Sequence, residues 1–303
     1  MRIALIGQAP FGAKVLERLV QEGEEIIGAF MPEGKRGDPM DESARKLNVK
    51  AFRAAAMKNP DTVSAYCALK PDLGVMAFVT DIVPAKILEC PKLKTIQYHP
   101  SLLPLHRGGS AINWPIINGE KNTGITIFWP DKGIDTGPIL LQKEVEIEPN
   151  DTVGSLYFDK LFPLGVDAIA EAVKLVKQGK APHIKQDESR ATYEGLCDDK
   201  VARIDWSQPA PKLYNFIRGT NPAPGAYTTL AGKKVRFFDS ELLAEANKAI
   251  PGQVIEVTAA GIKIAAKNGA ILVKRVQPEA AAKMNAVEYA QQANLGGGAV
   301  FGK

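Results

Sequence analysis

The 303-residue sequence predicts an α/β protein, a Rossmann-like parallel-sheet core followed by a small carboxy-terminal open β-barrel domain. Three observations carry that expectation. Short apolar runs alternate with helix-period segments through the first part of the chain, the pattern of a parallel sheet covered on both faces. The run DLGVMAFV, Asp72 to Val79, is almost continuously apolar, as a strand buried on both sides must be. Beyond residue 204, five short strand-like runs succeed one another across glycine-containing turns, which suits a small barrel.

The elements follow in order. Arg2 to Gly7 reads as a buried strand, and Phe11 to Val20 repeats its apolar residues at helix spacing. Glu25 to Phe30 is the next strand. Asp61 to Leu69 follows as a helix with Pro60 just ahead of it. After Asp72 to Val79 come a helical segment from Pro84 to Glu89 and a strand ending near Tyr98. Thr123 to Trp129 and Gly137 to Ile147 are β-rich. Asp151 is placed to cap a long amphipathic helix reaching Lys177, interrupted near Pro163. Periodicity then fades, so the domains are expected at 1–180 and 204–303 with a linker over 181–203, where His183 is an exposed bystander. In the second domain a helix over Ala210 to Ile217 precedes the five strands, GAYTTL, KKVRFFD, GQVIEVT, GIKIAAKNG and AILVKRVQP.

Composition narrows the function classes. Hydrophobic content of 45% and charged content of 24% are ordinary globular values. No apolar run approaches the roughly eighteen residues of a membrane helix, and MRIALIGQAPFGAKV passes straight into a strand pattern rather than a signal peptide. A cytoplasmic protein with no membrane partner is expected. Cys67, Cys90 and Cys197 lie far apart, so they predict reduced thiols and no metal site. Residues 204–303 carry 12 Lys/Arg against 7 Asp/Glu, while the first 203 are near balance at 26 against 27. That bias could help to hold an anionic partner such as RNA, but no dense basic cluster appears, and a mildly basic surface is the simpler reading. The opening GQAPFG lacks the middle glycine of a dinucleotide fingerprint, and no acidic residue ends the second strand. No nicotinamide cofactor is expected, and the glycines serve a tight strand-to-helix turn.

Two segments concentrate unusual chemistry. TIQYHPSLLPLHRGGSAINW, Thr95 to Trp114, holds two of the three histidines, and WPDKGIDTGPIL, Trp129 to Leu140, sets Asp135 between Gly133 and Gly137. Both are expected at the carboxyl ends of parallel strands, where open α/β sheets form crevices, bringing Gln97, His99 and Asp135 within reach of one another. A histidine oriented by a carboxylate can accept a proton from a nucleophile, and an amide can donate to a carbonyl oxygen that gains charge. Ser101 sits in no nucleophile elbow and reads as a turn or cap hydroxyl, so direct attack by a bound nucleophile fits better than a covalent intermediate. By spacing alone, one His and one Asp 36 residues apart remain an unspecific signal.

HPSLLPLHRG followed by GIDTG resembles the folate-dependent formyltransferase family over nearly the whole chain. The segments ITIFW, LLQKEVEI, LYFDKLFPLG, ATYEG and IRGTNPAPGAY point toward its 10-formyltetrahydrofolate hydrolase branch. The resemblance implies 10-formyltetrahydrofolate as formyl donor, with His99 and Asp135 at the catalytic histidine and aspartate positions. It implies a folate pocket against Met76, Ala77, Phe78 and Val79 and against Pro130, Asp131, Lys132, Gly133 and Ile134. Gln97 stands where the transferases of the family have asparagine and the hydrolase branch an apolar residue, so its amide lies one methylene farther out than theirs. His106 falls at a variable position and is expected at the crevice rim or in a structural role, and Arg107 in positioning the loop or meeting an anionic group.

The acceptor implied is water or a small amine. Initiator methionyl-tRNA is the alternative, set against the short loop over residues 29–41, whose only basic residues are Lys35 and Arg36. A folate-binding protein without catalysis is the reading from another class. It gives no reason for His99 and Asp135 to stand together.

Overall fold

The computed structural model describes residues 1–33, 38–54, 56–245 and 247–302, so Lys35 and Arg36 lie outside the described residues. The chain divides into two compact units. The first comprises Met1–Ala111, Thr123–Val145 and Phe158–Glu194; the second comprises Ile112–Asn122, Glu146–Tyr157 and Gly195–Lys303.

The elements run β1 (Arg2–Gly7), α1 (Ala9–Gln21), β2 (Glu25–Pro32), α2 (Pro39–Lys46), β3 (Ala51–Ala54), α3 (Pro60–Ala68), β4 (Leu73–Ala77), α4 (Ala85–Glu89) and β5 (Thr95–His99). Then come α5 (Asn113–Asn118), β6 (Asn122–Phe128), β7 (Ile139–Glu146), α6 (Val153–Ser155), a π-helical turn over Leu156–Leu161, and α7 (Phe162–Lys177). A seven-stranded sheet in the order β3-β2-β1-β4-β5-β6-β7 forms the first unit, and its first five strands are parallel. β4 is buried at every residue, as its apolar run requires. On one face Tyr98 packs 4.4 Å from Phe11 of α1, which meets Phe162 of α7 edge-on. On the other, Ala4, Ile6, Phe30 and Met76 pack with Tyr66 of α3 and Ile87 and Leu88 of α4. Burying each large side chain of this kind contributes about 1.5–3 kcal/mol, so this core fixes the position of β5.

The glycines at the first turn serve close packing. A Cβ on Gly7 would lie 2.6 Å from the Ala77 carbonyl oxygen, and one on Gly12 2.8 Å from the Met40 sulfur. Neither glycine is among those with positive φ. Thr152, not Asp151, caps α6, forming a reciprocal capping box with Ser155. The Asp151 carboxylate instead accepts from the Glu148 N–H and the Ser155 hydroxyl. The expected interruption is a π-turn that runs directly into α7, whose second residue is Pro163.

In the second unit, α8 (Ala210–Gly219) is followed by β8 (Ala226–Leu230), β9 (Lys233–Leu243), β10 (Val254–Thr258), β11 (Gly261–Ala266), β12 (Gly269–Pro278), β13 (Met284–Asn285) and α9 (Ala286–Gln292). The sheet is open and antiparallel, ordered β10-β11-β12-β9-β8 with β13 on β12. Its core gathers Trp206, Phe237, Phe301, Ile262, Ile264 and Val273. No helix among the described residues is long and apolar enough to cross a membrane.

The strand directions correct one expectation. β6 runs antiparallel to β5, with Phe128 opposite Gln97 and Thr126 opposite His99. The segment from Trp129 therefore starts beside the first half of β5, not at the carboxyl end of a parallel strand. It doubles back, its ends closed by the Trp129 N–H donating to the Pro138 carbonyl at 2.9 Å.

Candidate active site

Successive strand residues alternate between faces. On β5, Thr95, Gln97 and His99 therefore share one face, while Ile96 and Tyr98 pack into the other. His99 is buried and its two ring nitrogens have different surroundings. Nε2 lies 2.9 Å from the His106 carbonyl oxygen. A carbonyl can only accept, so Nε2 carries the proton and neutral His99 presents a bare lone pair at Nδ1. Nδ1 faces Asp135 Oδ2 at 3.5 Å, beyond a normal hydrogen bond. Burial pushes the imidazole below its ordinary pKa range, against the upward pull of Asp135 and of the His106 carbonyl.

Asp135 is fixed from several sides. Its Oδ2 accepts from the Gly108 N–H at 2.9 Å, and its backbone carbonyl accepts from the Gln186 amide at 2.8 Å. Its backbone is left-handed, with φ of 56°, as are those of His106 at 55° and Phe78 at 60°. Two non-glycine residues in this sparsely allowed region, Asp135 and His106, on either side of His99 mark a held geometry. Gly137 completes the turn: a Cβ there would sit 1.8 Å from the Trp129 carbonyl oxygen, so no other residue permits this closure. Within the loop, Asp131 Oδ1 accepts from the Gly133 N–H and the Thr136 hydroxyl.

The structure brings His99 and Asp135 together and sets Gln97 two residues earlier on the same face. The Gln97 side chain is half-buried and, among the described residues, its amide has no protein hydrogen-bond partner. It remains free to donate. Ser101 is a turn hydroxyl, donating to the Leu105 carbonyl at 2.6 Å.

The residues expected around a folate fall into separate cavities. Pro130, Asp131, Lys132 and Gly133 line a cavity of about 410 Å³ with Ala85, Leu88, Glu89, Lys94, Thr95 and Trp129. Thr95 belongs to the face that continues through Gln97 to His99. Phe78 and Val79 instead border a space of about 20 Å³ with Gln8, Met31 and Met57, while Met76 and Ala77 are buried in β4. Met76 pairs in register with Ile6, so β4 delivers its end beside β1. Ile134 is exposed. No cluster of three or more His, Cys, Asp or Glu among the described residues could hold a metal ion.

Sequence reasoning missed the segment after Lys180. Residues through Glu194 belong to the first unit, and Gln186, Glu188, Thr192 and Glu194 all grip the His99 loop. Arg107 makes a forked pair with Glu188 at 2.7 and 2.9 Å. The His106 ring donates to Glu194 at 3.1 Å and its backbone N–H to Thr192 at 2.8 Å. His106 is thus structural, and it presents the carbonyl that orients His99. His183 is exposed but stacks on Trp129, with ring centroids 4.4 Å apart and planes within 5°. A polar stretch of this length without helix or strand periodicity, inside a compact domain, was the available signal.

Comparison with known proteins gives the family of the chain. The formyl transferase family model matches residues 1–173 and the model of the formyl transferase C-terminal domain matches 198–294. The cytosolic 10-formyltetrahydrofolate dehydrogenase of Xenopus tropicalis is 40% identical over 97% of this chain, which spans 34% of that protein. The human enzyme of the same name is 46% identical over 80% of this chain and 28% of its own length. The chain thus spans about a third of the dehydrogenases it matches. The methionyl-tRNA formyltransferase of Acetivibrio thermocellus is 36% identical over the full length of both chains. Among solved structures, an N-formyltransferase from Helicobacter canadensis, in complex with folinic acid and dTDP-3-aminofucose, shares the fold at a TM-score of 0.70 and 19% identity, covering 91% of this chain and 98% of its own. HypX from Aquifex aeolicus, in complex with tetrahydrofolic acid, does so at 0.68 and 20%, over 96% and 47%. With both domain models matched in order and a full-length relative at this identity, the chain belongs to the formyl transferase family.

Proposed function

We propose that this protein removes the formyl group from 10-formyltetrahydrofolate and passes it to water or a small amine, releasing tetrahydrofolate. The observation that carries the reading is the pair of acceptors at His99 Nδ1 and Asp135 Oδ2. They face each other across 3.5 Å with no proton of their own to share while His99 is neutral. A nucleophile with two protons, water or an amine, can donate to both. The cavity of about 410 Å³ is of the size that takes a small-molecule ligand, and Thr95, which lines it, stands two residues before Gln97 on β5.

The chemistry follows from these groups. The nucleophile adds to the formyl carbon and gives its proton to His99 Nδ1, whose base form burial favours at neutral pH. The developing oxyanion accepts a hydrogen bond from the Gln97 amide. Asp135 stabilises the imidazolium that forms. As the bond from the formyl carbon to N10 breaks, His99 returns the proton to N10. Tetrahydrofolate leaves, and the other product is formate or a formamide. The names of the cytosolic dehydrogenase relatives support the same donor and a cytosolic setting.

Methionyl-tRNA is the second reading for the acceptor, favoured by the end-to-end match to the Acetivibrio enzyme. Supplying 10-formyltetrahydrofolate labelled in the formyl group separates the acceptors. Label is expected on formate or small amines of a cell extract, and lost in His99→Asn. Efficient labelling of methionyl-tRNA with little formate would replace the first reading by the second, and absence of tetrahydrofolate release in any arm would refute both.

A further inference from the structure

Gln186 lies outside both site segments, yet its side chain joins them. It is 4% exposed and makes every hydrogen bond its amide allows. Oε1 accepts from Arg107 Nη2 at 2.8 Å and Nε at 3.3 Å. Nε2 donates to the backbone carbonyls of Asp135 at 2.8 Å and Gly137 at 2.7 Å. Arg107 directly precedes Gly108, whose N–H binds the Asp135 carboxylate. One planar amide therefore spans from the loop that follows His99 to the backbone of the aspartate facing it.

We infer that Gln186 is a positioning residue for the His99–Asp135 pair, held by Arg107 and Glu188 and fixing the left-handed backbone at Asp135. This rests on the reading of that pair as catalytic. Only an amide fits the role. A carboxylate would keep the Arg107 contacts but set an oxygen against two carbonyls, and an apolar chain would leave both carbonyls and the Arg107 fork short of partners. The cavity-lining part of the loop does not depend on Gln186, because Asp131 ties Gly133 and Thr136 locally. Loss of Gln186 should therefore displace Asp135 more than it disturbs the cavity, which separates positioning from general structural support.

The test uses the full chain with Gln186→Met, which keeps the volume and removes the hydrogen bonds, and Gln186→Glu, which keeps the Arg107 pairing and removes both donors. Two readouts are followed. The first is the NMR titration of the His99 ring, assignable among only three histidines, measured without substrate. The second is steady-state deformylation. In Gln186→Met the His99 titration is expected to move to lower pH, since support from Asp135 is weakened. Both variants are expected to lose at least tenfold in kcat with the KM for 10-formyltetrahydrofolate changed less than threefold. Wild-type titration and kcat in the variants, or a loss carried by KM, would overturn the inference. If Gln186→Met does not fold, Gln186→Glu decides, its new charge being paired with Arg107. Should the wild-type protein release no tetrahydrofolate, the functional reading fails by itself, and the substrate-free titration still judges the role of Gln186.

Discussion

Replacing Asp135 with asparagine removes a charge from the site while keeping the side chain's size. The amide oxygen can still accept from the Gly108 N–H, so the loop is expected to stay in place. What is lost is the attraction between the carboxylate and the imidazolium that forms 3.5 Å away. At an effective dielectric of about 20, that attraction is about 5 kcal/mol for full charges. With the proton about half transferred in the transition state, roughly half of it, or about 2.5 kcal/mol, bears on the rate, which lowers kcat by roughly 50-fold. The pH profile gives a second reading of the same interaction. His99 must be neutral to act as base, so activity is present above its pKa and lost as pH falls through it. Burial already places that pKa below the ordinary histidine value, and Asp135 pulls it upward. In Asp135→Asn the acid limb of kcat/KM should therefore move to lower pH. Initial rates of tetrahydrofolate release between about pH 4.5 and 8 measure both effects. A kcat within threefold of wild type, or an acid limb displaced upward, would refute the assignment of Asp135.

Three further outcomes test the frame around the site. Gly137→Ala sets a Cβ against the Trp129 carbonyl oxygen, backbone on backbone, and should cost about 1–3 kcal/mol in urea unfolding along with most of the activity. Phe237→Ala, in the core of the second unit beside Trp206 and Phe301, should cost about 3–5 kcal/mol by the same measurement. Thr152→Ala removes one half of the capping box and should cost about 1 kcal/mol, read as a lowered Tm with kcat unchanged.

How far the sequence could be read depends on the distance over which each feature is encoded. β4 was legible because burial on both faces needs a continuous apolar run, and Leu73–Val75 supply it locally. Five of the six strands of the second unit, β8 to β12, were marked by their turns. α2 and β3 escaped notice because PMDESARK and AFRA are too short for a period to establish itself. The direction of β6 was not readable, since alternation between two faces is the same in either direction. Asp151 and Thr152 are adjacent cap-forming residues, and only the reciprocal bond with Ser155 decides between them. In the site, His99 and Asp135 were found through the motifs around them. Gln186 was not, because it lies 51 residues from Asp135 and its role exists only through backbone carbonyls that carry no residue signature.

The bond from His99 Nε2 to the His106 carbonyl has a consequence for proton stoichiometry. With one ring nitrogen held by the backbone, the imidazole cannot pass a proton in on one side and out on the other. Whatever arrives at Nδ1 must leave from Nδ1 before the next turnover. The site is in that respect a store for one proton with a single door, suited to reactions whose nucleophile gives up one proton and whose leaving group takes one back. Water and amines attacking a formyl group meet that condition: the proton taken from the nucleophile is the one N10 receives, and the remaining proton of formic acid made from water leaves with the product. Turnover at fixed pH should then be independent of buffer concentration, whereas a histidine open at both nitrogens would leave its proton accessible to the buffer.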